Sequence, residues 1–249
     1  DAAQLAPHRP IDMCAQNIDA LAFSAHKVYA PFGLGVLVLP RAMLDRSPVD
    51  PGGGSIDMLS NDAVVWASPD ERHQTGTWNV TGIVALGESC RAIMETGWDT
   101  IIAHERSLLE YFLRELSGVP KLIMYIAPEK YIAEARIGTV PFNLAGYHHA
   151  HLAKILADQY RIEVRAGTIC NHRLVRRWFH IDNKEQQIID EKIRRGNRLA
   201  SYGVVRASIG LSNTKEDLDR LIQALTEIAI NGSRHQYRPN PRDGVFERL

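Results

Sequence analysis

The sequence predicts an α/β fold in two parts. A strand, loop, strand pattern runs up to Leu39, a long amphipathic helix spans Thr100 to Leu116, and short apolar runs then alternate with helical periodicities as far as Ala229. At 249 residues the chain is long enough to bury a substantial core, as one large or two modest domains. The pattern divides it into residues 1–97, a smaller α/β domain over 98–233 and a tail over 234–249.

The first elements follow from local chemistry. Asp1 to Pro10 carries two prolines and reads as a loop, and Ala20 to Ser24 is a short apolar strand that ends in a polar turn before Lys27. Gly33 to Leu39 is an unbroken apolar run bounded by Gly and Pro, which predicts a strand buried on both faces. Pro51-Gly52-Gly53-Gly54 and Gly76-Thr77 are turns, the second just ahead of an apolar helix that starts near Val80. In the long helix Ile101, Ile102, Leu108, Leu109, Phe112, Leu113 and Leu116 recur at helical spacing opposite a charged face.

Farther along, strands are expected at Leu122–Ile126, Gly138–Leu144, Ile162–Val164 and Gly203–Ile209, with a helix over His148–Gln159. Asn213-Thr214-Lys215-Glu216-Asp217 opens the last helix, whose stripe is Leu218, Leu221, Ile222, Leu225, Ile228 and Ala229. His172 to Arg198 is rich in Arg and Lys, partly helical, and has no clean apolar stripe. Arg234 to Leu249 shows no periodicity and is expected to be a mobile or partner-wrapping tail.

Composition removes several classes. Lys plus Arg equals Asp plus Glu at 29 each, so no net field draws the molecule to nucleic acid or an anionic membrane. Hydrophobic residues at 45% and charged residues at 23% are ordinary globular usage, which argues against disordered and fibrous readings. The three cysteines, Cys14, Cys90 and Cys170, form no Cys-x-x-Cys pair, which points away from a disulfide framework and towards a reducing cytoplasm. The apolar runs are too short to cross a bilayer. There is no initiator Met, and Asp1 already looks like a strand end, so the expectation is a fragment lacking an N-terminal part.

Two motifs carry chemistry. Taken alone, Lys27 reads as a surface lysine beside a turn and Asp1 as an exposed carboxylate, while Gln4, Ser24 and Thr77 are ordinary turn residues. Taken together, Asp1-Ala2-Ala3-Gln4 and Ser24-Ala25-His26-Lys27 offer what pyridoxal phosphate (PLP) needs: a lysine to hold the aldehyde as a Schiff base, a carboxylate for the pyridine nitrogen, and phosphate donors. With their spacing they resemble the Asp-x-Ala-Gln and Ser-x-His-Lys signatures of the class V aminotransferase and cysteine desulfurase family. The resemblance implies the C-terminal part of a PLP fold type I large domain plus a smaller α/β C-terminal domain. By it, Lys27 binds the aldehyde, Asp1 pairs with the pyridinium nitrogen, Gln4 bonds the ring hydroxyl, and Ser24 and His26 hold the phosphate. Thr77, in His73-Gln74-Thr75-Gly76-Thr77, resembles a Gly-Thr turn that reaches the neighbouring subunit's cofactor, which implies a homodimer.

The second part adds Arg165-Ala166-Gly167-Thr168-Ile169-Cys170, similar to the Arg-x-Gly-x-x-Cys segment of group II cysteine desulfurases and selenocysteine lyases. A lone cysteine is usually a small buried hydrophobe; the motif instead implies that Cys170 is the nucleophile that takes sulfur from cysteine as a persulfide and leaves alanine. Cys14 and Cys90 match no motif and are expected to be core thiols. Arg206, within Val204-Val205-Arg206-Ala207-Ser208, resembles the arginine that grips a substrate α-carboxylate, with Arg165 assisting. A sulfur-acceptor protein is the further partner so implied. Two other readings compete: another class V reaction, transamination or epimerisation, with Cys170 a bystander, and a non-catalytic fragment. His148 and His149 are adjacent, point in different directions and lack a third ligand, so no metal is expected.

Some features depart from the family pattern. The family's first half brings a second phosphate-binding turn and a ring that stacks on the cofactor, neither of which falls in this chain. Trp78 stands where proline is common, and the segment after Cys170 is longer and more basic than usual. Its cations (Arg173, Arg176, Arg177, Lys184, Lys192, Arg194, Arg195, Arg198) are interspersed with Glu185, Asp190 and Glu191 and lack a stacking aromatic series. A solvated helix face or dimer contact is therefore expected rather than nucleic-acid binding.

Overall fold

A computed structural model describes residues 1–249. The chain divides into two compact units, Asp1–Ile102 and Ala103–Leu249.

In the first unit the Ala2 N–H donates to the Ala22 carbonyl at 2.8 Å, setting the opening turn beside β1 (Leu21–Ser24). β1 feeds a single 3-10 turn, Ala25–Val28, which ends on Tyr29 at φ 63°. The chain returns as β2 (Gly35–Val38), antiparallel to β1 with Ser24 opposite Gly35. After the short helix α1 (Arg41–Leu44), β3 (Ile56–Leu59) and β4 (Val64–Trp66) form a second antiparallel ladder. Helix α2 (Val80–Thr96) is capped where Asn79 Oδ1 accepts the Gly82 N–H at 2.9 Å, and it stops at Gly97, whose φ of 81° favours glycine. Ser89 on α2 donates to the Val28 carbonyl and so anchors the 3-10 turn.

The expected double-sided burial of Gly33–Leu39 is corrected here. Leu37 is 64% exposed, and β2 belongs to a ladder of two antiparallel strands with no second layer in this unit to cover it. An apolar run reports what a strand would bury, not whether a covering layer is present.

Helix α3 (Trp98–Leu116) begins in the first unit and continues into the second. There follow β5 (Leu122–Met124), α4 (Pro128–Ala133), β6 (Thr139–Leu144) and α5 (His149–Tyr160). Next come β7 (Arg165–Gly167), α6 (His172–Trp178), α7 (Asn183–Arg194), β8 (Val204–Ser208) and α8 (Lys215–Asn231). The sheet order is β5-β6-β8-β7, and every pairing is antiparallel. The core joins Leu109, Phe112 and Leu116 of α3, Val140 and Phe142 of β6, Leu152 and Ile155 of α5, and Leu221, Leu225 and Ile228 of α8. The helix opener read from sequence forms a capping box, with Thr214 and Asp217 bonding each other's backbone.

Two further expectations change. The strand expected at Ile162–Val164 forms instead at Arg165–Gly167, because α5 unwinds through Arg161 at φ 56° and pairing with β8 starts only at Arg165. The stretch expected to be a loose tail forms an antiparallel hairpin, β9 (Tyr237–Asn240) with β10 (Val245–Arg248), whose aromatic side chains pack on α5. Two strands of four residues are too short for periodicity to reveal.

Asn143 is buried at the end of the β6–β8 ladder. Its Nδ2 donates to the Gly203 carbonyl and to Tyr125 Oη, both at 2.9 Å, and its Oδ1 accepts the Val205 N–H at 3.1 Å. Asn143→Ala strands those backbone groups away from water. It is expected to destabilise the protein by about 3 kcal/mol, read as a shift of the urea unfolding midpoint.

Candidate functional site

In the first unit Ser24, His26 and Lys27 follow directly from β1. Ser24 occupies the N-cap of the 3-10 turn without capping it, His26 is exposed and Lys27 is half-buried within the turn. The Ala2–Ala22 bond brings the Asp1–Gln4 turn alongside the same strand. Asp1 is exposed, its carboxylate accepting the Ala3 N–H at 2.8 Å, and Gln4 is half-buried. A carboxylate, a carboxamide, a hydroxyl, an imidazole and an amine thus flank one short strand. Thr77 is exposed on the loop before α2, makes no hydrogen bond to that group, and lies two residues before Asn79, whose Nδ2 donates to the Phe32 carbonyl at 2.6 Å.

In the second unit the pair Arg165 and Arg206 sit opposite each other across β7 and β8. Like charges directly opposed on neighbouring strands repel. Arg206 is half-buried and its Nε, shielded from solvent, has no protein acceptor. Burial, and after it Arg165, lowers the Arg206 pKa, while Cys170 acts in the opposite direction. The result is a cationic spot with an unsatisfied donor and a thiol within its field.

Cys170 is exposed, on the turn that leaves β7. The Asn171 N–H bonds the Thr168 carbonyl at 2.8 Å, and Ile169 and Cys170 both take left-handed φ values, 47° and 60°. For a β-branched isoleucine this is a costly conformation, one that surrounding structure must impose. Asn171 then caps α6, its Oδ1 accepting the Leu174 N–H at 3.3 Å. Cys14 and Cys90 are not core thiols: Cys14 is exposed on the polar turn Asp12–Asn17, and Cys90 is half-buried on α2.

Sequence reasoning passed over the residues that brace this turn. Tyr125 stacks on Trp178 at 5.1 Å and on Phe179 at 5.6 Å, fastening the end of α6 to the segment after β5. Gly203 leaves no room for a side chain, since an added Cβ would lie 2.6 Å from the His149 ring and 2.7 Å from the Gly167 Cα. The available signals were Trp178-Phe179 inside a basic, stripe-free segment and an asparagine inside an apolar strand, where that residue is disfavoured. Among the described residues no group of three His, Cys, Asp or Glu side chains could hold a metal ion, and no helix is long and apolar enough to cross a membrane.

Solved structures share this architecture. The cysteine desulfurase CsdA of Escherichia coli superposes with a TM-score of 0.72 at 28% identity, over 90% of this chain and 49% of that one. The cysteine desulfurase of Thermococcus onnurineus NA1 gives 0.75 at 28% identity, over 92% and 51%. The element order and these superpositions define an α/β portion of a PLP fold type I enzyme. The family model for aminotransferase class-V matches residues 1–221, and the chain belongs to that family. Among curated relatives, the cysteine desulfurase of Escherichia coli strain K12 / DH10B is 33% identical over 233 residues, which is 92% of this chain and 50% of the relative. The chain spans about half the length of the curated relatives it matches.

Proposed function

We propose that the chain is the C-terminal portion of a PLP-dependent cysteine desulfurase that moves sulfur from cysteine to the Cys170 thiol. The observation that carries this reading is the exposed Cys170 on a strained turn within the field of the half-buried Arg206, whose Nε has no protein acceptor. A free amino acid offers a carboxylate that can fill that acceptor role.

The first unit fits the cofactor chemically. Lys27 would hold the aldehyde, Asp1 the pyridine nitrogen, Gln4 the ring hydroxyl, and Ser24 and His26 the phosphate; the Ser24 hydroxyl is not consumed as a helix cap. Thr77 would serve the cofactor of a second subunit, in a homodimer within a reducing compartment. When bound, PLP supplies the electron withdrawal that makes a substrate Cα proton removable. Lys27 takes that proton, while Arg206, helped by Arg165, fixes the carboxylate with a planar pair of donors. The Cys170 thiolate attacks the substrate sulfur, and an S–S bond forms as the C–S bond breaks. Cysteine and one enzyme thiol become alanine and one persulfide, whose outer sulfur then passes to an acceptor protein's thiol.

A second reading is that the pocket is completed by protein outside this chain, so that the chain alone does not hold PLP. Exposed Leu37, Met58, Leu59, Val84 and Met94, all in the first unit, favour it. Titration of the chain with PLP tests the point. A working pocket gives a new visible absorption band that Lys27→Ala removes; no band in the parent chain places the pocket's remaining wall elsewhere. A band that persists in Lys27→Ala would overturn the role of Lys27.

A further inference from the structure

We propose that the C-terminal hairpin β9–β10 is a pH-sensitive strap, held on α5 by the neutral imidazoles of His148 and His151, with His149 packed beside them. The strap lies beyond residue 221, where the family match ends, and it does not depend on the chemistry proposed for Cys170. Its contacts with α5 are aromatic on imidazole. Phe246 stacks on His151 at 4.5 Å and 12°, lies 5.8 Å from His148, and Tyr237 meets His151 edge-on at 5.2 Å. The Arg198 N–H donates to the Pro241 carbonyl at 2.8 Å and ties the hairpin loop to the segment before β8.

A neutral imidazole has one donor and one acceptor nitrogen, and a second proton on any of these rings needs an acceptor that the row does not offer. His148 is the N-cap of α5, and its Nδ1 accepts the Ala150 N–H at 3.2 Å, which a proton on Nδ1 would forbid. His149 Nε2 faces the Ser201 carbonyl at 3.3 Å, which leaves Nδ1 buried with nothing to receive a second proton. The Nε2 atoms of His148 and His151 are likewise buried without a partner. All three rings sit at the first turn of α5, the positive end of the helix dipole, where added positive charge is disfavoured.

The surrounding charge does not compensate. The elements against α5 bring Arg165 on β7 and Arg206 on β8, with Arg198 before β8, and the hairpin brings Arg238, Arg242, Asp243, Glu247 and Arg248, Asp243 accepting from Asn240 at 3.0 Å. Glu247 is already engaged by Arg238 at 2.8 Å and by Asn240, and on α5 itself Lys154 and Asp158 pair with each other. Burial lowers the pKa of all three histidines, with His148 adding to the effect on the other two; His149 falls to about 4, and the carbonyls of Leu199 and Ser201 only partly restore His148. Each folded-state pKa is below the free value of 6.5, so this contribution to stability is complete above about pH 6.5 and is lost as pH falls towards the folded pKa values. The Phe246 ring offers a cation–π contact to a charged His151, yet it cannot accept the added proton. Leaving the helix face lets water reach His148 and His151. Melting α5 would instead break the core around Leu152, Ile155 and Leu156.

Amide hydrogen exchange on the full chain at pH 7.5 and 5.0, corrected for intrinsic rates, tests the strap. The Gly244 amide, bonded to the Asn240 carbonyl, and the Leu249 amide, bonded to Gln236, report the hairpin; α8 reports the core. Hairpin protection is expected to fall about tenfold or more at pH 5.0 while α8 changes less than about twofold. A His148→Asn, His151→Gln double variant, which keeps a cap and stays neutral, is expected to hold its hairpin protection at pH 5.0. If that variant has lost hairpin protection at pH 7.5, His151→Phe, which preserves the ring stack, replaces it. Equal protection at the two pH values in the parent chain, joint loss in the hairpin and α8, or an undiminished pH response in the neutral variant would each overturn the proposal. Absence of a persulfide on Cys170 would remove the desulfurase reading and leave the strap untouched.

Discussion

Cys170→Ser in the cofactor-loaded protein is expected to cut alanine release from cysteine by about a thousandfold or more, the scale on which loss of a covalent nucleophile acts. Serine keeps nearly the same volume on the turn but is not ionised near neutral pH and does not accept sulfur as a persulfide. Mass spectrometry of the Thr168–His172 region after mixing with cysteine reads the step directly: the parent gains one sulfur and the variant none. The PLP band that depends on Lys27 is expected to survive, since Cys170 is assigned no part in holding the cofactor. Undiminished alanine release from the serine variant would instead leave Cys170 a bystander. A class V transamination or epimerisation would then be the better account of the same Lys27 and Arg206.

Much of this was legible because it was local. The stripe Leu218, Leu221, Leu225 and Ile228 fixed the buried face of α8, and Thr214 with Asp217 marked its start, because helix periodicity and capping act within a few residues. Burial was less legible. Leu37 lies in a run as apolar as any core strand and is exposed, because burial depends on layers brought by distant sequence. The hairpin failed to show for a similar reason: Tyr237 and Phe246 are nine residues apart in a polar stretch, and only the histidines of α5 make them a packed unit.

The candidate site divides along the same line. Residue types around Lys27 and Cys170 were visible as motifs, but the turn's support was not. Asn143, Tyr125, Gly203 and His149 act through distances between strands and helices, and no short window of sequence contains both ends of such a contact. The strained φ values at Ile169 and Cys170 are likewise imposed from outside their own segment.

The same reasoning identifies the substitution expected to hurt the fold most. Phe142 on β6 is fully buried in the core that joins α3, α5 and α8, whereas Leu37 on β2 is 64% exposed. Phe142→Ala loses both the transfer energy of the ring and the packing around the cavity it leaves, about 4 kcal/mol. Leu37→Ala removes a side chain already largely in water and is expected to change stability by less than about 0.5 kcal/mol. Against a total of about 5–15 kcal/mol for an ordinary domain, the first change brings the second unit close to unfolding and the second leaves the midpoint in place. Urea titrations followed by far-ultraviolet circular dichroism compare them. A small shift for Phe142→Ala would mean that the sheet and its three helices collapse to fill the space, and that the core is held by something other than close packing around β6.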